Sequence, residues 1–171
     1  LTALGNIYDQ MDKVDLAEKY YDNAIAANPT HGLAYNNKGS LLMHNKRYEE
    51  AEQCFNQAIH LRPENAFAYI NKGNMLHQLT RTDEAIENFK TAIRLEPSNP
   101  AAYSNYGNLL KGQGKLVEAM PLYKKAIECD KSFSTAINNY LFCAHYDADF
   151  SPEDLFRDHV TYARLISDNV T

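Results

Sequence analysis

Apolar residues recur along this chain at i, i+3, i+4 and i+7, the period of a helix with one buried face. Leu33, Tyr35 and the run from Gly39 to Leu42 predict one such helix. Tyr48, Ala51, Phe55, Ala58 and Ile59 predict a second. This pair, helix A then helix B, returns every 34 residues as the pattern G-x₂-[YL]-x₈-A-x₃-[YF]-x₂-A. Its anchors are Gly5/Gly39/Gly73/Gly107, Ala17/Ala51/Ala85/Ala119, Tyr21/Phe55/Phe89/Tyr123 and Ala24/Ala58/Ala92/Ala126. A fixed period in this range marks stacked units rather than a globule closed around one core.

The glycine and the first alanine are small where helices A and B cross closely. Glycine inside a helix costs about 1 kcal/mol relative to alanine, so keeping it in all four registers implies a packing need. The aromatic position is expected to fill the seam toward the next unit. Pro29, Pro63 and Pro97 follow helix B and stop it, because proline lacks an N–H and fixes φ. Lys131 stands at that place in the fourth unit, whose turn must rest on other residues.

These residues resemble the tetratricopeptide signature over about residues 1–133. Tyr35, Tyr69 and Tyr103 replace the family's frequent tryptophan, and Lys38 and Lys72 stand where it often has leucine. Their stems can cover apolar surface while the ammonium reaches water. The resemblance implies an all-α fold: a right-handed superhelical solenoid of antiparallel helix pairs, with helices A lining a concave wall. Residues 1–133 read as four units, the first truncated at its N-terminus, and 134–171 as a fifth helix A plus a non-repeat capping or linker helix. Ile137, Asn139 and Tyr140 keep the register over about 134–146. Ser151-Pro152-Glu153-Asp154 then starts a last helix, about 152–167, with an N-cap, a first-turn proline and acids at the positive dipole end. It is expected to bury Leu155, Phe156, Val160, Ala163 and Leu165.

Two residues before Gly39, Gly73 and Gly107 stands an asparagine, and the same 34-residue spacing continues to a fourth: Asn37, Asn71, Asn105 and Asn139. A second set follows the glycine, Asn6, Asn74 and Asn108, interrupted by Ser40. Asparagine is a poor helix-interior residue. A carboxamide offers two donors and an acceptor oxygen, which suits it to hold the N–H and C=O of an extended peptide whatever its side chains. Duplication of an inert polar residue is the bland alternative. From the second register onward the neighbouring position drifts through Asn36, Ile70, Ser104 and Asn138 while the ladder stays fixed (the first register has Thr2 and Ala3), which favours function. Leu33, Phe67, Met43 and His77 are expected to add apolar edges.

Such a ladder resembles the repeat region of O-linked N-acetylglucosamine transferases and their bacterial relatives. Asn138-Asn139-Tyr140-Leu141-Phe142, His145-Tyr146-Asp147, Ser151-Pro152-Glu153 and Leu155-Phe156 with His159 are similar to the segment joining repeats to catalytic domain in bacterial members. The resemblance implies that the ladder binds substrate polypeptide and that sugar-nucleotide chemistry lies beyond this chain. No catalytic residue of that family can be placed here.

The remaining features exclude more than they add. A net charge of −5 argues against nucleic acid. No apolar run reaches the roughly 20 residues of a membrane span. Cys54, Cys129 and Cys143 lack CxxC spacing and read as reduced, half-buried helix residues in a reducing, cytoplasmic setting. The six histidines show no HxxxH or HExxH, and no phosphate loop, nucleophile elbow or paired-acid site occurs. The cationic positions of a carboxylate clamp are Thr2, Phe67 and Asn71 here, which removes its charge-assisted partners. No cofactor, metal or catalytic residue is expected. The reading is a module binding an extended polypeptide; the alternative is a scaffold that self-associates or recruits partner proteins.

Overall fold

The computed structural model describes residues 1–148 and 150–167, with side chains through Arg164. Ten helices and no strand occur among the described residues. They form two compact units, Leu1–Leu95 and Glu96–Thr171.

The first unit contains three hairpins: α1 (Thr2–Gln10) with α2 (Val14–Ala27), α3 (Gly32–His44) with α4 (Tyr48–Leu61), and α5 (Ala66–Gln78) with α6 (Thr82–Leu95). The second contains α7 (Pro100–Gly112) with α8 (Leu116–Cys129), then α9 (Ser134–His145) packed on α7 and α8, and α10 (Pro152–Ser167) packed on α9.

The sequence pattern sets the core of each hairpin. Ala17, Ala51, Ala85 and Ala119 are fully buried, as are the aromatics sixteen residues beyond each glycine, Tyr21, Phe55, Phe89 and Tyr123. Each ring lies on the glycine of its own hairpin. A Cβ built on Gly39 would stand 2.8 Å from Phe55 Cε1, and one on Gly73 or Gly107 would stand 2.7 Å from the ring of Phe89 or Tyr123. The aromatic therefore closes its own A–B crossing, where the sequence suggested that it fills the seam to the next unit. The glycine makes room for a ring.

Each helix A ends in a residue with left-handed backbone: Asp12 (φ 56), Lys46 (φ 61), Thr80 (φ 58) and Gly114 (φ 77). The next amide then reaches back to the helix, Lys13 N–H to Tyr8 O, Arg47 to Leu42, Arg81 to Leu76 and Lys115 to Leu110, all at 2.9–3.0 Å. This is the Schellman closure, which favours glycine because a Cβ crowds the backbone at positive φ. Thr80 is β-branched, the poorest choice there. Thr80→Gly is expected to stabilise the chain by about 0.5–1 kcal/mol, read as a raised urea midpoint.

Helix B ends before Pro29, Pro63 and Pro97 as expected. At the fourth hairpin Asp130 replaces the proline's effect: its carboxylate accepts from Ser132 N–H (2.8 Å) and Ser132 Oγ (2.6 Å). These bonds hold the Asp130 carboxyl below its usual range.

Ion pairs stitch the hairpins of the first unit. Arg47 binds Glu18 in two contacts, 2.6 and 3.1 Å, and also Glu50; Arg81 repeats this with Glu52 and Glu84. Hydrogen bonds from the guanidinium groups hold Glu50 and Glu84 below the ordinary carboxylate range. Lys38 and Lys72 do not simply reach water. Lys38 Nζ lies 2.6 Å from Asp22 and 3.7 Å from Glu18, and Lys72 Nζ donates to Asn56 Oδ1 at 2.7 Å.

The last helix begins as read: Ser151 Oγ accepts from Asp154 N–H at 3.1 Å. Its packed face differs from expectation. Phe156 is 72 % exposed and Ala163 is exposed, while Leu155, Asp158, Val160 and Tyr162 are partly covered. The reason is Tyr140 on α9, whose hydroxyl donates to Asp158 at 2.8 Å and whose ring meets Tyr162 edge-on at 5.4 Å. These contacts turn the helix onto its 155/158/162 face. Leu165 lies outside the described side chains.

Candidate peptide-binding face

The asparagines lie on helices A, and hydrogen bonds tie Asn6, Asn37, Asn71, Asn108 and Asn139 to neighbouring A helices, whereas Asn74 and Asn105 make no such bond among the described residues. In the first unit Asn37 Nδ2 donates to Asn6 Oδ1 at 2.8 Å, and Asn36 Nδ2 donates to Asn37 Oδ1 at 3.2 Å. Asn71 Nδ2 donates to Asn36 Oδ1 (3.1 Å) and Ser40 Oγ (3.2 Å). In the second unit Asn139 Nδ2 donates to Asn108 Oδ1 at 2.9 Å, and Lys111 Nζ donates to Asn139 Oδ1 at 2.6 Å. Residues i and i+31 meet in three cases: 6 with 37, 40 with 71, and 108 with 139.

Asn37, Asn71, Asn74, Asn105, Asn108 and Asn139 are half-buried and Asn6 is exposed. Asn6, Asn37, Asn71, Asn108 and Asn139 keep part of their surface toward solvent while a neighbour restrains the amide. A donor or acceptor held this way loses little freedom on meeting a ligand. Asn71 illustrates the remaining capacity: both bonds given above use its Nδ2, and its oxygen retains two lone pairs.

The second asparagine set is tied to the aromatic position. Tyr21 OH donates to Asn6 Oδ1 at 2.9 Å, and Tyr123 OH donates to Asn108 Oδ1 at 3.0 Å. Where the ring is Phe55, the partner position is Ser40; where it is Phe89, it is Asn74, with no hydroxyl opposite. A tyrosine hydroxyl thus accounts for Asn6 and Asn108, while Asn74 stands opposite a phenylalanine.

Several contributors escaped the sequence reading. Asn36 was set aside as a drifting position, yet it is buried and accepts from Asn71. Ser40 was read as an interruption, yet it completes the same contact. The alternation of tyrosine and phenylalanine at the aromatic position was the available signal for the hydroxyls. Of the expected apolar edges, Leu33 and Phe67 are exposed and His77 is half-buried. Met43 is 6 % exposed and belongs to the core, because its side chain turns inward at the end of α3. His44 and His77 sit in the last turns of α3 and α5. Cys54 and Cys129 are half-buried, whereas Cys143 is fully buried; burial raises all three thiols above their ordinary value. Among the described residues no three His, Cys, Asp or Glu gather as a metal site, and no helix is long and apolar enough to cross a membrane.

Helix hairpins repeated on a fixed register define a helical-repeat protein. Family models of the tetratricopeptide repeat match residues 2–66, 54–87, 73–114 and 100–133. Residues 2–133 are tetratricopeptide repeats, and the fold is their helical-hairpin solenoid. Solved structures agree. The chain is similar to MamA (19% identity, 96% of this chain and 93% of that one, TM-score 0.72). It is similar to Pseudomonas aeruginosa pilF (17%, 98% and 73%, TM-score 0.82). It is also similar to YrrB, described as a TPR protein with an unusual peptide-binding site (21%, 99% and 86%, TM-score 0.66). No curated protein matches the chain.

Proposed function

We propose that this chain is a protein-interaction module that holds an extended polypeptide through the carboxamides of Asn6, Asn37, Asn71, Asn74, Asn105, Asn108 and Asn139. The observation that carries the reading is the interhelical amide network. Repeat stacking brings residues i and i+31 together, and three such contacts hold ladder carboxamides that keep part of their surface exposed for a ligand. Similarity to YrrB, a repeat protein with a peptide-binding site, supports the same class of ligand.

In its finer form the proposal makes this the substrate-recognition region of a protein O-glycosyltransferase-like protein, with chemistry supplied elsewhere. That form rests on the ladder and on the residues from Asn138 to His159. Reading the gene onward from Thr171 tests it: a sugar-nucleotide-binding domain supports it and a different continuation removes it.

The test of the ligand is the double variant Asn71→Ala, Asn105→Ala against an extended peptide by fluorescence anisotropy. Two lost hydrogen bonds predict a rise in Kd of about 5- to 100-fold. Asn71 also bonds Asn36 and Ser40, so a stability loss of about 1 kcal/mol accompanies it, and circular dichroism should still show a folded chain. An unchanged Kd removes the ladder from binding.

A further inference from the structure

We infer that His145 on α9 and His159 on α10 form a two-imidazole site for a divalent ion of the zinc, nickel and copper group. The two rings meet edge-on, with centroids 5.2 Å apart and planes at 86°. Both line one cavity of about 540 Å³, together with Asn138, Leu141, Phe142 and Tyr146. A zinc ion stands about 2.0–2.1 Å from an imidazole nitrogen, and so about 3.2 Å from the ring centre. Two rings on one tetrahedral ion therefore have centres about 5 Å apart. His145 and His159 already stand at that separation.

The hydrogen bonding of His145 suits it to be a ligand. Its Nδ1 lies 3.2 Å from Leu141 O, one turn back on the same helix. A carbonyl oxygen can only accept, so this contact places the ring proton on Nδ1 and leaves the Nε2 lone pair for an ion. Backbone carbonyls commonly orient metal-binding histidines in this way. His159 is exposed. Its ring can turn about χ2, a broad torsion, to aim a nitrogen at the same point.

The donor set selects the ion. No Asp or Glu lines the cavity, and among the described residues no third His, Cys, Asp or Glu joins the pair. Asp158, the neighbour of His159 in the chain, accepts from the Tyr140 hydroxyl at 2.8 Å. Neutral imidazoles suit zinc, nickel and copper, whereas calcium and magnesium require oxygen ligands. With two protein ligands, the other coordination positions fall to water or to a donor on a bound partner. Because the ligands sit on different helices, the ion acts as a clasp. It fastens α10 to α9 beside the Tyr140–Asp158 and Tyr140–Tyr162 contacts, and binding only the docked state stabilises it.

The test titrates Zn²⁺ into the chelator-treated 171-residue chain and follows its six histidine rings by long-range ¹H–¹⁵N correlation. His145 and His159 should shift on one common binding curve, while His31, His44, His60 and His77 stay still. Ca²⁺ at the same concentrations should move none of them. In His145→Ala or His159→Ala, the remaining ring should respond at least about tenfold more weakly, the minimum expected when a ligand itself is lost. Zn²⁺ should raise the thermal midpoint of the parent and of neither variant. Should a variant fail to fold, the paired shifts in the parent decide. Two rings that stay still, or one that responds without the other, overturn the site. So does zinc held at Cys54 or Cys129 with both rings unmoved. Any of these results leaves the asparagine reading standing, since the two sites share no residue.

Discussion

Gly73→Val is expected to destabilise the chain by about 3 kcal/mol, at the upper end of overpacking effects. The added Cβ alone would lie 2.7–3.0 Å from three atoms of the Phe89 ring, which is fully buried and has nowhere to retreat. Valine's two further methyls deepen the clash. Helix propensity predicts the opposite sign, since replacing a mid-helix glycine normally helps. The cause is testable by a double-mutant cycle with Phe89→Leu. Shrinking the ring should recover at least about 1 kcal/mol of the loss, so the two changes are strongly non-additive. Urea denaturation supplies all four corners. Additive effects, or Gly73→Val within about 0.5 kcal/mol of the parent, would show that ring and glycine are not the contact that closes the hairpin.

Alkaline pH is expected to unfold the chain through three buried tyrosines. Burial pushes Tyr21 from 10.0 to about 12 and raises Tyr123 and Tyr140 as well, the last aided by its hydrogen bond to Asp158. These hydroxyls donate to Asn6, Asn108 and Asp158. A phenolate would instead set its charge against an amide oxygen or a carboxylate. The sign follows from proton counting: between the unfolded and folded pKa the unfolded chain has released protons that the folded chain keeps. The stability from these groups is whole below pH 10 and is lost as pH rises through about 12. Thermal melts at intervals across that range should fall steeply for the parent. They should fall less for the Tyr21→Phe, Tyr123→Phe, Tyr140→Phe variant, which isolates the tyrosines from lysine titration. Parallel curves would contradict the assignment.

Much of this architecture is legible in the sequence because a 34-residue register repeats its demands four times. Hairpin positions, the prolines after helix B, the fifth helix A and the Ser151 cap follow from local rules. What was not legible depends on contacts made at a distance. The turn residue with positive φ is Asp12, Lys46 or Thr80 in three hairpins, none of which announces itself as Gly114 does. The face of α10 was read from hydrophobicity and came out rotated, since a polar residue, Asp158, anchors it through Tyr140. The asparagines could be listed from their spacing, but their bonds to one another, and the parts of Asn36 and Ser40, depend on how neighbouring A helices stack.

That network bears on function in a specific way. Within each unit, amides that restrain each other are not free to adapt to any ligand, and the proposed reading matches them to something equally regular, a polypeptide main chain. Side-chain selectivity then has to come from residues outside the ladder.

The most direct measurement is an ¹H–¹⁵N correlation spectrum of the side-chain amides during titration with an unstructured Gly-Ser peptide and then with a tighter-binding one. The resonances of Asn37, Asn71, Asn105 and Asn139 should shift together and saturate with the binding curve. If a peptide binds while these four stay still and other residues respond, the carboxamide face is not where polypeptide is held.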